Sequence, residues 1–148
     1  LVAGDAAIKG MWCVPKYSNP TGTVYSADTV ERLAAMPAAA PDFRLLWDNA
    51  YAVHHLTDER IEIANIVAAC ARHGHPQRPF VFGSTSKITL AGSGVALFAG
   101  SPENVAWFED AMGGAFKGRI ARDKWIEQCQ KLASGWRPDG NAGERPEG

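Results

Sequence analysis

"PFVFGSTSKITLAGSGVALFAG", residues 79–100, holds two apolar runs joined by hydroxyls, a lysine and glycines. The first run, "PFVFGS" (79–84), is bounded by Pro and polar residues and has the length of a buried strand rather than a buried helix. The second, "GVALFAG" (94–100), has the same character. Only Ile88–Ser93 separate "FGSTSK" from it, too few residues for the helical crossover that parallel pairing needs, so the second strand is expected to run antiparallel. Lys87 follows a strand and precedes small residues, a setting in which desolvation lowers an amine's pKa.

The same punctuation recurs upstream. "MWCVP" (11–15) and "FRLLWD" (43–48) are further short apolar runs. Between the runs lie helical patterns, "SADTVERLAAM" (26–36) with Ser26 as N-cap and "DERIEIANIVAACARHG" (58–74) closing on Gly74. Strand and helix thus alternate, which predicts an α/β fold with a mainly parallel sheet and flanking helices. "SPENVAWFEDAMGG" (101–114) has Ser101 as N-cap and Pro102 at the first helical position, and "RDKWIEQCQKLASGW" (122–136) reads as another amphipathic helix. From Gly135, eleven of the last fourteen residues are Gly, Pro or charged, so 135–148 is expected to be a disordered tail.

Composition narrows the function. The 148 residues are 46% hydrophobic and 21% charged, enough for one core, and the net charge of −1 leaves no basic field for nucleic acid. No stretch reaches the ~18 apolar residues of a membrane span. Cys13, Cys70 and Cys129 are odd in number and widely spaced, fitting neither a disulfide framework nor a metal knuckle, and a reducing, cytoplasmic setting is expected. His54 and His55 are adjacent and diverge on any regular element, so a metal site is not expected.

In a parallel α/β sheet, ligands bind beyond the carboxyl ends of the strands. The residues there are "KYSNPTG" (16–22), "DNAY" (48–51) and "STSK" (84–87). Each has an ordinary reading. Asn19-Pro20-Thr21-Gly22 makes a turn, Asp48 can cap the next segment, Tyr51 can be a core ring with a wet hydroxyl, and Lys87 can be a solvated cation. "GSTSK" is not a nucleotide-binding loop, because Ser86 precedes the lysine and Ile88 follows it.

Taken together, "SNPTG", "DNAY" and "STSK" in that order resemble the class I, fold type I aminotransferases that depend on pyridoxal 5'-phosphate, and more narrowly the aspartate aminotransferases. The resemblance covers roughly residues 8–110. It implies that Lys87 forms the internal Schiff base and shuttles the substrate's proton, and that Asp48 pairs with the pyridine nitrogen. Tyr51 and Asn19 would bond the 3' oxygen, while Ser84 and Ser86 would hold the phosphate. It also implies a peptide before Pro20 that is often cis, amino-acid and 2-oxo-acid substrates, and a homodimer when intact.

There are departures. An arginine commonly stands seven residues past the lysine, in a Lys-x4-Gly-x-Arg pattern; here Gly92 fits and the seventh residue is Gly94, with Ser93 a candidate for part of the lost contact. "SKITLAGSGVALF" is similar to a less common aspartate aminotransferase subgroup without that arginine. Family members are far longer, so the chain is expected to be a fragment: 1–112 part of the cofactor-binding large domain, 113–134 a helical segment of uncertain relation, 135–148 the tail. Such a partial sheet would leave apolar faces and edges uncovered.

Two other functions compete with transamination. One is a C–S or β-lyase of the same fold, since relatives with that activity share the lysine, aspartate and tyrosine. The other is a non-catalytic remnant, or the effector module of a regulator whose DNA-binding part would lie upstream.

Overall fold

The computed structural model describes residues 1–56, 58–88 and 94–113. The expected helix at 122–136, the segment 113–134 beyond its first residue, the tail at 135–148 and Ser93 lie outside them. Leu1–Asp110 form one compact unit and Ala111–Gly148 a second.

Four strands form one sheet in the order β1-β2-β3-β4: β1 (Gly10–Cys13), β2 (Arg44–Asp48), β3 (Pro79–Ser84) and β4 (Ala96–Ala99). The pairs β1–β2 and β2–β3 are parallel, with Cys13 opposite Trp47 and Trp47 opposite Val81. β4 runs antiparallel to β3, with Phe82 opposite Phe98, as the short connection predicts. β3 takes the span read from the sequence, whereas β1 begins one residue earlier than expected and stops at Cys13, before Pro15.

Helix α1 (Ala27–Ala35) starts where its N-cap says it should: the Thr29 amide donates to the Ser26 hydroxyl at 3.1 Å. Its far end is closed by a distant residue. The Arg78 guanidinium, buried, donates to the carbonyls of Ala34 at 3.0 Å and Met36 at 2.7 Å, satisfying groups that the helix leaves open.

Helix α2 spans Ile66–Arg72, not the 58–74 expected. Asn65 stops it from extending backwards: its backbone is extended, and its side chain accepts from the Ala68 amide at 3.1 Å. In front of it, Ile61 and Ile63 alternate with Glu62 and Ala64, a period of two rather than 3.6. Helix α3 (Pro102–Gly113) begins as read, the Asn104 amide donating to the Ser101 hydroxyl at 3.2 Å.

Alternation along the strands gives the sheet two faces. One carries Cys13, Leu45 and Trp47 into a core completed by Val30 and Ala34 of α1 and Ile66, Ala69 and Cys70 of α2. α1 and α2 are also latched at the surface, where Glu31 pairs with Arg72 and, at 2.9 Å, with His73. The other face carries Trp12, Leu46, Phe80, Phe82 and Phe98. α3 covers part of it, with Trp107 stacked on Phe80 and Phe108 on Phe98. Trp12, stacked on Phe82, stays 61% exposed, so this face is open along β1, as expected of a partial sheet.

Candidate active site

Because β1, β2 and β3 are parallel and in register, their carboxyl ends lie side by side, and the three polar clusters follow directly from them. Asp48 is the last residue of β2 and is half-buried. Ser84 is the last of β3, and Ser86 and Lys87 form the turn beyond it.

After β1 the chain makes a closed loop. Ser18 and Thr23 bridge, the Ser18 amide donating to the Thr23 carbonyl at 3.0 Å, and Asn19 sits exposed in the turn between them. The Asn19–Pro20 peptide is cis, and Gly22 takes a positive φ of 69° that suits glycine. After β2, Asn49 donates its amide to the Phe82 carbonyl at 2.8 Å, which pins the start of the Asp48–Tyr51 loop to β3. The Tyr51 carbonyl then accepts from the His54 amide at 3.2 Å, folding the loop back so that the two rings meet edge to face at 5.4 Å.

After β3, the Ser86 amide and hydroxyl both turn inward to Ser84: the amide donates to the Ser84 hydroxyl at 3.0 Å, and that hydroxyl donates to the Ser86 hydroxyl at 2.7 Å. The turn is stapled to the next segment by Thr85, whose amide donates to the Val95 carbonyl at 3.0 Å and whose hydroxyl accepts from the Val95 amide at 2.8 Å. Gly94 lies directly against Ser86: a Cβ there would stand 3.2 Å from the Ser86 Cα. The position that carries arginine in the common family pattern therefore has no room for any side chain unless Ser86 moves.

Among the described residues, the direct contact within the predicted set is Ser84 with Ser86; Asn19, Asp48, Tyr51 and Lys87 are brought to one edge and linked through neighbours. Three such links join the loops. The Lys16 ammonium donates to the Ala52 carbonyl at 3.0 Å, the Leu56 amide reaches the Tyr17 hydroxyl at 3.5 Å, and His54 Nε2 lies 3.4 Å from the Lys87 carbonyl. Tyr17 has a positive φ of 50°, uncommon for a residue with a side chain and found here at the junction of two of the loops.

One expectation is corrected. Lys87 is exposed, so the described residues do not supply the desolvation read from its flanks. The buried lysine is Lys16, 2% exposed, with its ammonium over the Tyr17 ring. Burial pushes the Lys16 ammonium below its ordinary pKa, and the charge of Glu62 pulls the other way. Lys16 stands between "CVP" and "YSNPTG" with nothing local to signal burial, whereas the adjacency of His54 and His55 drew attention only as a poor metal motif.

These residues suit a phosphorylated pyridine aldehyde. The hydroxyls of Ser84 and Ser86 with the Ser86 amide form a compact donor group for a phosphate, Asp48 offers a carboxylate to a ring N–H, and Lys87 offers an accessible amine. His54 Nδ1 is buried with no hydrogen-bond partner, so the edge also holds an unused polar atom.

Comparison with known proteins leads to the same family. The family model described as aspartate amino-transferase matches residues 1–131. The chain is 59% identical over 132 residues to a Mycolicibacterium smegmatis protein provisionally named an aminotransferase, covering 89% of this chain and 30% of that one. It is 56% identical over 101 residues to an aspartate aminotransferase of Corynebacterium glutamicum, covering 68% of this chain and 23% of that one. Among solved structures, an aspartate transaminase from Corynebacterium glutamicum matches with a TM-score of 0.75 at 51% identity, over 78% of this chain and 27% of that one. A provisionally named aminotransferase from Corynebacterium diphtheriae matches with a TM-score of 0.75 at 46% identity, over 78% of this chain and 29% of that one. The chain thus spans less than a third of the length of these relatives. The family model covers most of the chain, and the chain belongs to the aspartate aminotransferase family.

Proposed function

We propose that these residues form the pyridoxal 5'-phosphate site of an aminotransferase that moves an amino group between an amino acid, aspartate being the first candidate, and a 2-oxo acid. The observation that carries the reading is the alignment of Asp48, Ser84, Ser86 and Lys87 at the carboxyl ends of two neighbouring parallel strands, with Asn19 beyond the third. When bound, the cofactor supplies an electrophilic aldehyde and an electron-accepting ring.

In this reading Ser84 and Ser86 give up their mutual bond and donate to the phosphate. Asp48 accepts from the pyridine nitrogen and holds a proton on it. Asn19 and Tyr51 donate to the 3' oxygen and orient the ring plane. Lys87 would offer its amine to the aldehyde and would hold and move the proton at the substrate's Cα.

The test is direct. Incubation with pyridoxal phosphate and borohydride, which makes a reversible aldehyde–lysine link permanent, is expected to modify the peptide carrying Lys87. Assay with aspartate and a 2-oxo acid in the same preparation then reads transamination.

A further inference from the structure

Among the described residues, His54 connects the Tyr51 loop with the turn carrying Lys87. Its ring lies edge to face on Tyr51 at 5.4 Å, and its Nε2 lies 3.4 Å from the Lys87 carbonyl. A carbonyl can only accept, so the contact requires the proton on Nε2. Nδ1 then faces inward as an acceptor, buried and without a partner among the described residues.

The contact is long, and its value is direction more than energy. Beyond β3 the Lys87 turn is held on the side facing β4 by the Thr85–Val95 pair of bonds and within itself by the Ile88 amide to the Thr85 carbonyl. On the β2 side the strut is His54. Fixing the Lys87 carbonyl fixes the peptide plane after its Cα, and so the direction in which an otherwise exposed side chain leaves the backbone. Because the same ring rests on Tyr51, a shift of either loop is felt by the other.

We propose that His54 is a positioning residue which, in its Nε2-protonated form, sets the Lys87 backbone and the Tyr51 ring in a common frame, so that the amine is aimed at the site before any ligand is bound. The inference rests on the cofactor reading above for its purpose, but the mechanical link is independent of it.

The test uses His54→Leu, which keeps bulk but removes the donor, and His54→Gln, whose amide N–H reaches a similar position. Without cofactor, amide hydrogen exchange is followed at Thr85, Ser86 and Ile88, with the core amide of Leu45 as a check on folding. Exchange in the turn should rise by up to about tenfold in His54→Leu and return towards wild type in His54→Gln, with Leu45 unchanged. With pyridoxal phosphate and borohydride, labelling of Lys87 should slow in His54→Leu and recover in His54→Gln, while labelling of Lys9 stays constant. Wild-type exchange in the turn of a folded His54→Leu protein overturns the proposal. A turn that responds to His54 in a protein taking no label at Lys87 upholds the strut and refutes the cofactor reading instead.

Discussion

Gly94 lies so close to Ser86 that a Cβ built on it would stand 3.2 Å from both the Cα and the Cβ of Ser86, and nearer still to its hydroxyl. The hydroxyl in turn accepts from Ser84 at 2.7 Å. A side chain at this position therefore cannot be added without turning Ser86 away from the group proposed to hold phosphate. Gly94→Ala is expected to weaken pyridoxal phosphate binding by about tenfold, roughly the loss of one hydrogen bond. Gly94→Arg should weaken it too, despite restoring the residue of the common pattern. A fluorescence titration of both variants checks this, and tighter binding by Gly94→Arg would show that Ser86 is free to give way.

Lys16 is a buried ammonium bonded to the Ala52 carbonyl, and burial lowers its pKa. The unfolded chain, with the ordinary value of about 10.5, then binds the proton more tightly than the folded one. The cost of burying the charge is fully present below the folded pKa and fades as pH rises towards 10.5. Lys16→Met has no such group, so its stability relative to wild type should be greatest near neutrality and decline in alkali. Urea unfolding of the two proteins across this range tests the sign.

Cys70 is fully buried, and burial pushes its thiol up to about 11. Cys13, equally buried, moves in the same direction. A raised thiol pKa contributes stability that is complete below the ordinary value of 9.0 and is lost as pH climbs through the folded value. Both cysteines should resist iodoacetamide at pH 8 until the protein unfolds, as peptide mapping with and without urea would reveal. Rapid alkylation of Cys70 in the folded protein would contradict the packing described.

Leu45 lies in the core face of the central strand β2, with no exposed surface, between Met11 and Pro79. Leu45→Ala should cost about 2–5 kcal/mol, the usual range for deleting a buried leucine. Equilibrium unfolding measures it directly, and a loss below 1 kcal/mol would mean that the sheet is not closed over α1 and α2.

Much of the fold is legible in the sequence. Pro79 and the hydroxyls after Phe82 marked both ends of β3, and the short gap before "GVALFAG" fixed the direction of β4. The cluster positions followed because the ends of parallel strands are set by the same apolar runs that form the core. Asn65 was harder to read, since the helical pattern at 58–74 runs through it, and only its extended backbone and its bond from the Ala68 amide mark the helix start. The burial of Lys16 and the strut at His54 depend on contacts with Ala52 and Lys87, 36 and 33 residues away, which no local pattern encodes. The exposure of Lys87 had the same cause in reverse, since small flanking residues permit burial without providing it.

The contest between two lysines offers the most direct test of the account. Lys16 is buried with a lowered pKa, whereas Lys87 is exposed but placed beside Ser84, Ser86 and the Tyr51 loop. After treatment with pyridoxal phosphate and borohydride, peptide mapping by mass spectrometry should find the modification on Lys87, and Lys87→Ala should abolish it. Modification of Lys16 in preference to Lys87, or no preference among the lysines, would contradict the proposed site.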